Sequence, residues 1–374
     1  MPDPTPILPE VLLLPQRTIF GHGRILTLLP ECRGFGARGV LVHGAVLASG
    51  GRLDKVLAET PAGMTVLPYR YRGGEPTLAE LSQLLAAARD YHADWVAGVG
   101  GGSILDLARG AAGLYAAEGT PEVYHDGAAI ERPGIPFVAA PTTAGTGSEA
   151  TMNAVLTNAR TGAKKSIRDP SLMARLVILD PALLSGCPRA VIAASGMDAL
   201  TQAIEAFTSR KATVLSDDLA RRGLGLISTS LEAVWTDAAT PAAAELLAGS
   251  YLTGVALSFA RLGVVHGIVH PLGALYHVPH GVACAVCLPH ALELNRRAFG
   301  AKYAVMCETV GGDLCARVEG FLRTFGIASP FAGKPVLSRE AIIRETLASG
   351  STQANPRTIT REDVEWLLER LFAA

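Results

Sequence analysis

The chain has 374 residues, 49% hydrophobic and 18% charged, with a formal net charge of −1. That length supports about two domains with sizeable cores, and the near-neutral balance gives no electrostatic reason to expect nucleic acid or a membrane surface as partner. Six scattered cysteines in so long a chain are not a disulfide framework, and no charged leader precedes an apolar run, so a reducing cytoplasm is the expected compartment.

Short β-branched and aliphatic runs recur through the first half: GVLVHG at 39–44, WVAGVG at 95–100, PFVAAPTT at 136–143 and LVILD at 176–180. Helical patterns at 77–92 and 103–117 lie between them. This alternation predicts a parallel sheet covered on both faces. From about Pro188 the strand signal ends, and helical periodicity occupies 189–234, 241–262, 283–296, 301–325 and 360–373. The expected organisation is an α/β domain at 1–185 and an all-helical domain at 186–374.

The strongest local motif of the first half is WVAGVGGGSILDLARG. A buried strand runs into Gly98, Gly100, Gly101 and Gly102, and a helix is predicted to open at Ser103. Glycine lets backbone approach a ligand closely, and a helix N-terminus offers free N–H groups to a phosphate. Ser103 and Asp106 have capping-box spacing. A second polar loop, PTTAGTGSEAT at 141–151, follows another predicted strand and can donate several hydrogen bonds to a nucleotide. The glycine spacing is not G-x-G-x-x-G, so an ordinary Rossmann assignment does not follow.

Residues 262–292 contain no Asp, Glu, Lys or Arg, yet hold His266, His270, His277, His280 and His290, five of the chain's nine histidines. Pro271, Pro279, Pro289 and the imidazoles argue against a bilayer span and for a buried helical reaction site. Asp198 and Gln202 share one face of another predicted helix. A carboxylate and two or three imidazoles from separate segments suit a catalytic divalent metal; the alternative is a helix cap and satisfied core histidines. Cys284 and Cys287, set in VACAVCL, read as small core residues.

With GGGSILDLARG, PTTAGTGSEAT, DPALL, SGMDALTQAIEAFTSR, HGIVHPLGALYHVPHG and NPRTITREDV in order along nearly the whole chain, the sequence resembles the iron-containing (group III) alcohol dehydrogenase family. The resemblance implies the dehydroquinate synthase-like architecture: a dinucleotide-binding α/β domain, then a helical metal domain. It implies reversible NAD(P)-linked interconversion of an alcohol with an aldehyde or ketone by hydride transfer. Carried over by motif, Gly100, Gly101, Gly102 and Ser103 hold the pyrophosphate, Thr142, Thr143 and Thr146 contact the cofactor, and Lys164 lies beside the ribose. Asp198, His266 and His280 match ligands of Fe2+ or Zn2+. His270 matches an active-site histidine and would relay the proton, with His277 a lesser helper and His290 structural.

Two positions depart from the family pattern. Gln202 stands where a fourth ligand histidine is usual; an amide oxygen is a poor ligand, so weaker metal binding is expected and a metal-independent reductase of the maleylacetate reductase type is the alternative. Gly44 stands where NAD-specific relatives place an aspartate, which opens the site to NADP; no Arg or Lys lies at 43–49, so the choice between NAD and NADP stays open. A dehydroquinate synthase-like lyase would need basic residues that 262–292 lacks, and a nucleotide-binding non-enzyme would be dismissed by NAD(P)H oxidation with any aldehyde. Apolar Phe259, Leu272 and Tyr276 favour a small or medium alcohol or aldehyde over a polyanion. The resemblance also implies a homodimer or larger homo-oligomer.

Overall fold

The computed structural model describes residues 5–373, and the chain divides into two compact units. One comprises Leu13–Thr143 and Gly147–Cys187 and is α/β; the other takes residues up to Leu12, Ala144–Thr146 and everything from Pro188 on, and is helical.

In the α/β unit the strands are β1 (Thr18–Phe20), β2 (Arg38–His43), β3 (Thr65–Arg70), β4 (Trp95–Gly100), β5 (Phe137–Pro141), β6 (Asn153–Asn158), β7 (Ala163–Arg168) and β8 (Leu176–Leu179). Six form one sheet in the order β1-β8-β5-β4-β2-β3, every pair parallel. The central strands are buried along their whole length, as a parallel sheet covered on both faces requires. One face packs Leu41, Trp95, Ala97, Val138 and Ile178 against Leu28, Leu29 and Leu47. Helices α1 (Leu78–Asp90) and α2 (Gly102–Gly113) pack together, and α2 lies against β4 and β5. Edge strand β3 carries Pro68, tolerable because an edge position can spare a ladder donor. From β2 the chain steps outward to β3 and then returns past β2 to β4. The carboxyl ends of β2 and β4 therefore form a topological switch point, where α/β sheets bind nucleotides.

Strands β6 and β7 form a separate antiparallel hairpin that the sequence patterns did not mark. A buried polar cluster ties it to α2. Arg109 Nη1 donates to Ser148 Oγ (3.0 Å), and Asp106 accepts from Ser148 Oγ (2.6 Å) and Val155 N (3.1 Å). This corrects the expected Ser103–Asp106 capping box. The N-cap is Gly101, with no side-chain cap bond, because Asp106 is committed to the hairpin.

The helical unit contains α3 (Arg189–Thr208), α4 (Val214–Thr236), α5 (Ala242–Ala260), α6 (Val264–Tyr276), α7 (His280–Asn295), α8 (Ala301–Val310), α9 (Leu314–Phe325), α10 (Arg339–Ala348), α11 (Gly350–Ala354) and α12 (Arg361–Phe372). Helix α3 is buried on every side from Gly196 to Thr208 and packs against α4, α5 and α7. The uncharged segment folds as α6 and most of α7, of 13 and 16 residues, each shorter than the roughly 20 a bilayer span needs. Helix α5 is long and apolar enough to cross a membrane, but half of it is buried within the unit.

Candidate active site

Two loops meet at the carboxyl ends of neighbouring strands in the α/β unit, where the sequence leads one to expect a nucleotide cradle. Gly101 caps α2, leaving the first N–H groups of that helix, at Gly102 and Ser103, without intrahelical partners. Thr142 N donates to Gly100 O at 3.0 Å, which ties the second loop to the first. Thr143 lies beside Gly101. A Cβ at Gly100 or Gly44 would stand 2.2 or 2.5 Å from Ile104 Cδ1, so both positions are glycine because Ile104 fills the space. Lys164 Nζ is ion-paired with Glu75 at 2.5 Å. Thr146 falls in the short stretch grouped with the helical unit.

At the switch point the structure adds a feature that the sequence search of 43–49 missed. Arg70 ends β3, directly opposite His43 of β2. Arg70, Tyr71, Arg72 and Ala45 line a recess beside Gly44. Among the described residues neither arginine forms an ion pair.

The helical unit brings together three helices, each contributing two residues one turn apart. Helix α3 supplies Asp198 and Gln202, α6 supplies His266 and His270, and α7 opens with His280 and continues to Cys284. His266 Nε2 lies 3.2 Å from Asp198 Oδ1, and His280 Nε2 lies 3.7 Å from the same oxygen. Cys284 Sγ is 3.6 Å from His280 Nε2 and 3.9 Å from His266 Nε2. The ligand atoms of Asp198, His266, His280 and Cys284 all lie within 4.8 Å of one another. Asp198, His266 and Cys284 are buried and His280 is partly open to solvent. Cys284 is a buried core residue, as its sequence setting suggested, and its thiol also joins this constellation, which its apolar neighbours disguised.

Glu205 is a residue that sequence reasoning missed. Its carboxylate takes the His266 Nδ1 proton at 2.6 Å and the Val265 N–H at 2.7 Å. That holds a proton on Nδ1 and turns Nε2 toward the cluster, as outer carboxylates do for ligand imidazoles. A usable signal was present: Asp198, Gln202 and Glu205 follow one another at i, i+4 and i+7 on one helical face. Gln202 is buried with no hydrogen-bond partner for its amide oxygen. Burying such an acceptor without a partner is costly, which marks this pocket as one shaped for a ligand.

The charges agree with that reading. Burial works to raise the Asp198 carboxyl, but His280 and His266 outweigh it and hold its pKa below the ordinary value. Burial works to lower the His266 imidazole, but the charges of Cys284 and Glu205 and the Asp198 hydrogen bond leave it well above its usual range. Burial pushes the Cys284 thiol up to about 12. A cation bound there would displace these protons. One carboxylate and two imidazoles whose Nε2 atoms converge on it fit a divalent metal.

Of the remaining histidines, His270 is half-buried and stacks on His280, with ring centroids 5.4 Å apart. His277 caps α6 in the left-handed conformation and is exposed. His290 is half-buried on α7, where burial lowers its pKa.

Similarity to known proteins places this fold in a family. Residues 15–181 match the iron-containing alcohol dehydrogenase family, and residues 192–372 match the C-terminal domain of the Fe-containing alcohol dehydrogenase family. The chain belongs to that family and is an oxidoreductase of the alcohol dehydrogenase class. It is 33% identical to long-chain-alcohol dehydrogenase 1 of Geobacillus thermodenitrificans (strain NG80-2) over 97% of this chain and 96% of the relative. It is 32% identical to lactaldehyde reductase of Escherichia coli (strain K12), covering 94% of this chain and 97% of that one. The crystal structure of a 1,3-propanediol oxidoreductase superposes with a TM-score of 0.90 at 30% identity, covering 97% of this chain and 99% of that one.

Proposed function

We propose that this chain reversibly oxidises a small or medium alcohol to an aldehyde or ketone with NAD(P), using a divalent metal, Fe2+ or Zn2+, held by Asp198, His266 and His280. The observation that carries the metal reading is the convergence of these three donors with Glu205 orienting His266. A bound metal supplies Lewis acidity toward the substrate oxygen. The N–H groups at Gly100, Gly101, Gly102 and Ser103 take the pyrophosphate, Thr142, Thr143 and Thr146 contact the cofactor, and Lys164 serves the ribose. A bound nicotinamide would supply or accept the hydride at the carbinol carbon. His270, stacked on His280 and half-open to solvent, carries away the hydroxyl proton released as the carbonyl forms.

For the cofactor we infer a preference for NADP(H). Gly44 removes the carboxylate that would repel a 2′-phosphate, and Arg70 and Arg72, whose guanidinium groups suit phosphate, line the recess beside it. A panel of aldehydes assayed with NADH and NADPH tests both readings. We expect oxidation of NADPH with higher kcat/KM than NADH. Equal or greater efficiency with NADH overturns the cofactor reading, and no oxidation with any aldehyde overturns the activity. A homo-oligomer in the cytoplasm is the setting we expect.

A further inference from the structure

We propose that Cys284 is a fourth metal ligand and that the set Asp198, His266, His280 and Cys284 selects Zn2+ over Fe2+. This rests on the reading that the helical unit holds a metal. Four of the six donor–donor separations stand close to those of a tetrahedral site, and all six are within 4.8 Å. With Zn–N near 2.0–2.1 Å and Zn–S near 2.3 Å, neighbouring donors of a tetrahedral site stand about 3.3–3.6 Å apart. The separations here are 3.2 and 3.7 Å from Asp198 Oδ1 to the two imidazoles and 3.6 and 3.9 Å from Cys284 Sγ to the same imidazoles. Each lies within a few tenths of an ångström of the expected edge.

The local sequence explains why the sulfur is there. His280 is the first residue of α7 and Cys284 lies one turn later, so both side chains leave the same face of one rigid helix. Cys287 is just as buried, three residues further on, but falls outside the donor cluster. Position on the helix therefore separates the two thiols of the CxxC. Cys284 also answers the problem posed by Gln202, whose amide oxygen makes a weak donor. A thiolate is a strong, soft ligand that favours Zn2+, and imidazole sites already bind Zn2+ more tightly than Fe2+. Binding replaces the thiol proton, which leaves to solvent, with a metal–sulfur bond; no oxidation is involved. Four protein donors still admit a substrate oxygen, because zinc can expand to five-coordination.

The test uses chelator-stripped full-length protein titrated anaerobically with Co2+ as an optical stand-in for Zn2+, followed by competition with Zn2+ and Fe2+. Wild type and Cys287→Ser should both show an intense near-ultraviolet thiolate-to-cobalt band. Cys284→Ser should lose the band and bind Zn2+ at least about tenfold more weakly, the low end of what even an outer-shell partner contributes. Wild type should exchange bound Fe2+ for Zn2+. If Cys284→Ser is poorly folded by circular dichroism, Cys284→Ala in the same titration decides. Cobalt binding without a thiolate band, or unchanged Zn2+ affinity in the variant, overturns Cys284 as a ligand and leaves the three-ligand site standing. Failure of wild type to bind Co2+ or Zn2+ at all overturns the metal reading itself.

Discussion

The two units handle ligands by opposite means. The α/β unit offers backbone: glycines that clear space around Ile104, a helix N-terminus and a hydroxyl-rich loop. The helical unit offers side chains, converging from three helices, with their donor atoms within 4.8 Å of one another. A backbone cradle is written in consecutive residues and tolerates changes of side chain. A donor cluster depends on helix packing, and a change at a single position alters its chemistry. Substitutions in the helical unit should therefore destroy metal binding while leaving nucleotide affinity intact, and the converse should hold for the α/β unit.

The largest effect is expected from Asp198→Asn, which removes the carboxylate shared by both imidazoles. Zn2+ affinity should drop by about 100-fold or more, beyond the range seen for outer-shell changes, while calorimetry shows nucleotide affinity near wild type. Parallel loss of both would break the contrast. Glu205→Gln keeps the size of the side chain but removes the charge that orients His266. An affinity loss of about 10–100-fold is expected, read from metal retained after dialysis; full retention would make Glu205 merely structural. In the α/β unit, the double variant Arg70→Ala, Arg72→Ala should raise KM for NADPH by about tenfold, a charge-assisted hydrogen bond being worth roughly 1.5–3 kcal/mol. KM for NADH and the metal content should not change. An equal rise for both cofactors would remove the two arginines from 2′-phosphate recognition.

The smallest effect concerns stability. Burial raises the Glu149 carboxyl from its ordinary 4.5 to about 7. Between those values the folded state binds the proton more tightly than the unfolded chain, so stability falls as pH rises from about 4.5 to about 7. Glu149→Gln should flatten that part of the profile in denaturant titrations. A variant that keeps the wild-type slope would assign the dependence to another group.

How far the sequence could be read follows the same division. The glycine loop after β4 was legible because strand, turn and helix start are contiguous. Strand β3 escaped notice because Pro68 spoils its pattern and its residues are half exposed, and the β6–β7 hairpin because polarity does not follow burial in β6, where Val155 is partly open and Asn158 buried, and β7 is largely polar. In the helical unit, His266 and His270 announced themselves by type and spacing. Glu205 did not, since its partner lies 61 residues away. Cys284 was hidden for a different reason: a thiol among alanines and valines looks like core until the fold brings His266 of the neighbouring helix, together with His280 one turn back on its own, against it. The Arg70–Arg72 recess was missed because the search followed one strand, whereas the sheet places its neighbour's end beside Gly44.

The most direct test of the metal-assisted reading is turnover by rigorously metal-free enzyme. Protein stripped by chelator and verified by elemental analysis should fail to oxidise NADPH with any aldehyde that the untreated enzyme reduces, and stoichiometric Zn2+ or Fe2+ should restore the rate. Full turnover in metal-free protein would contradict the account and leave a metal-independent reductase in its place.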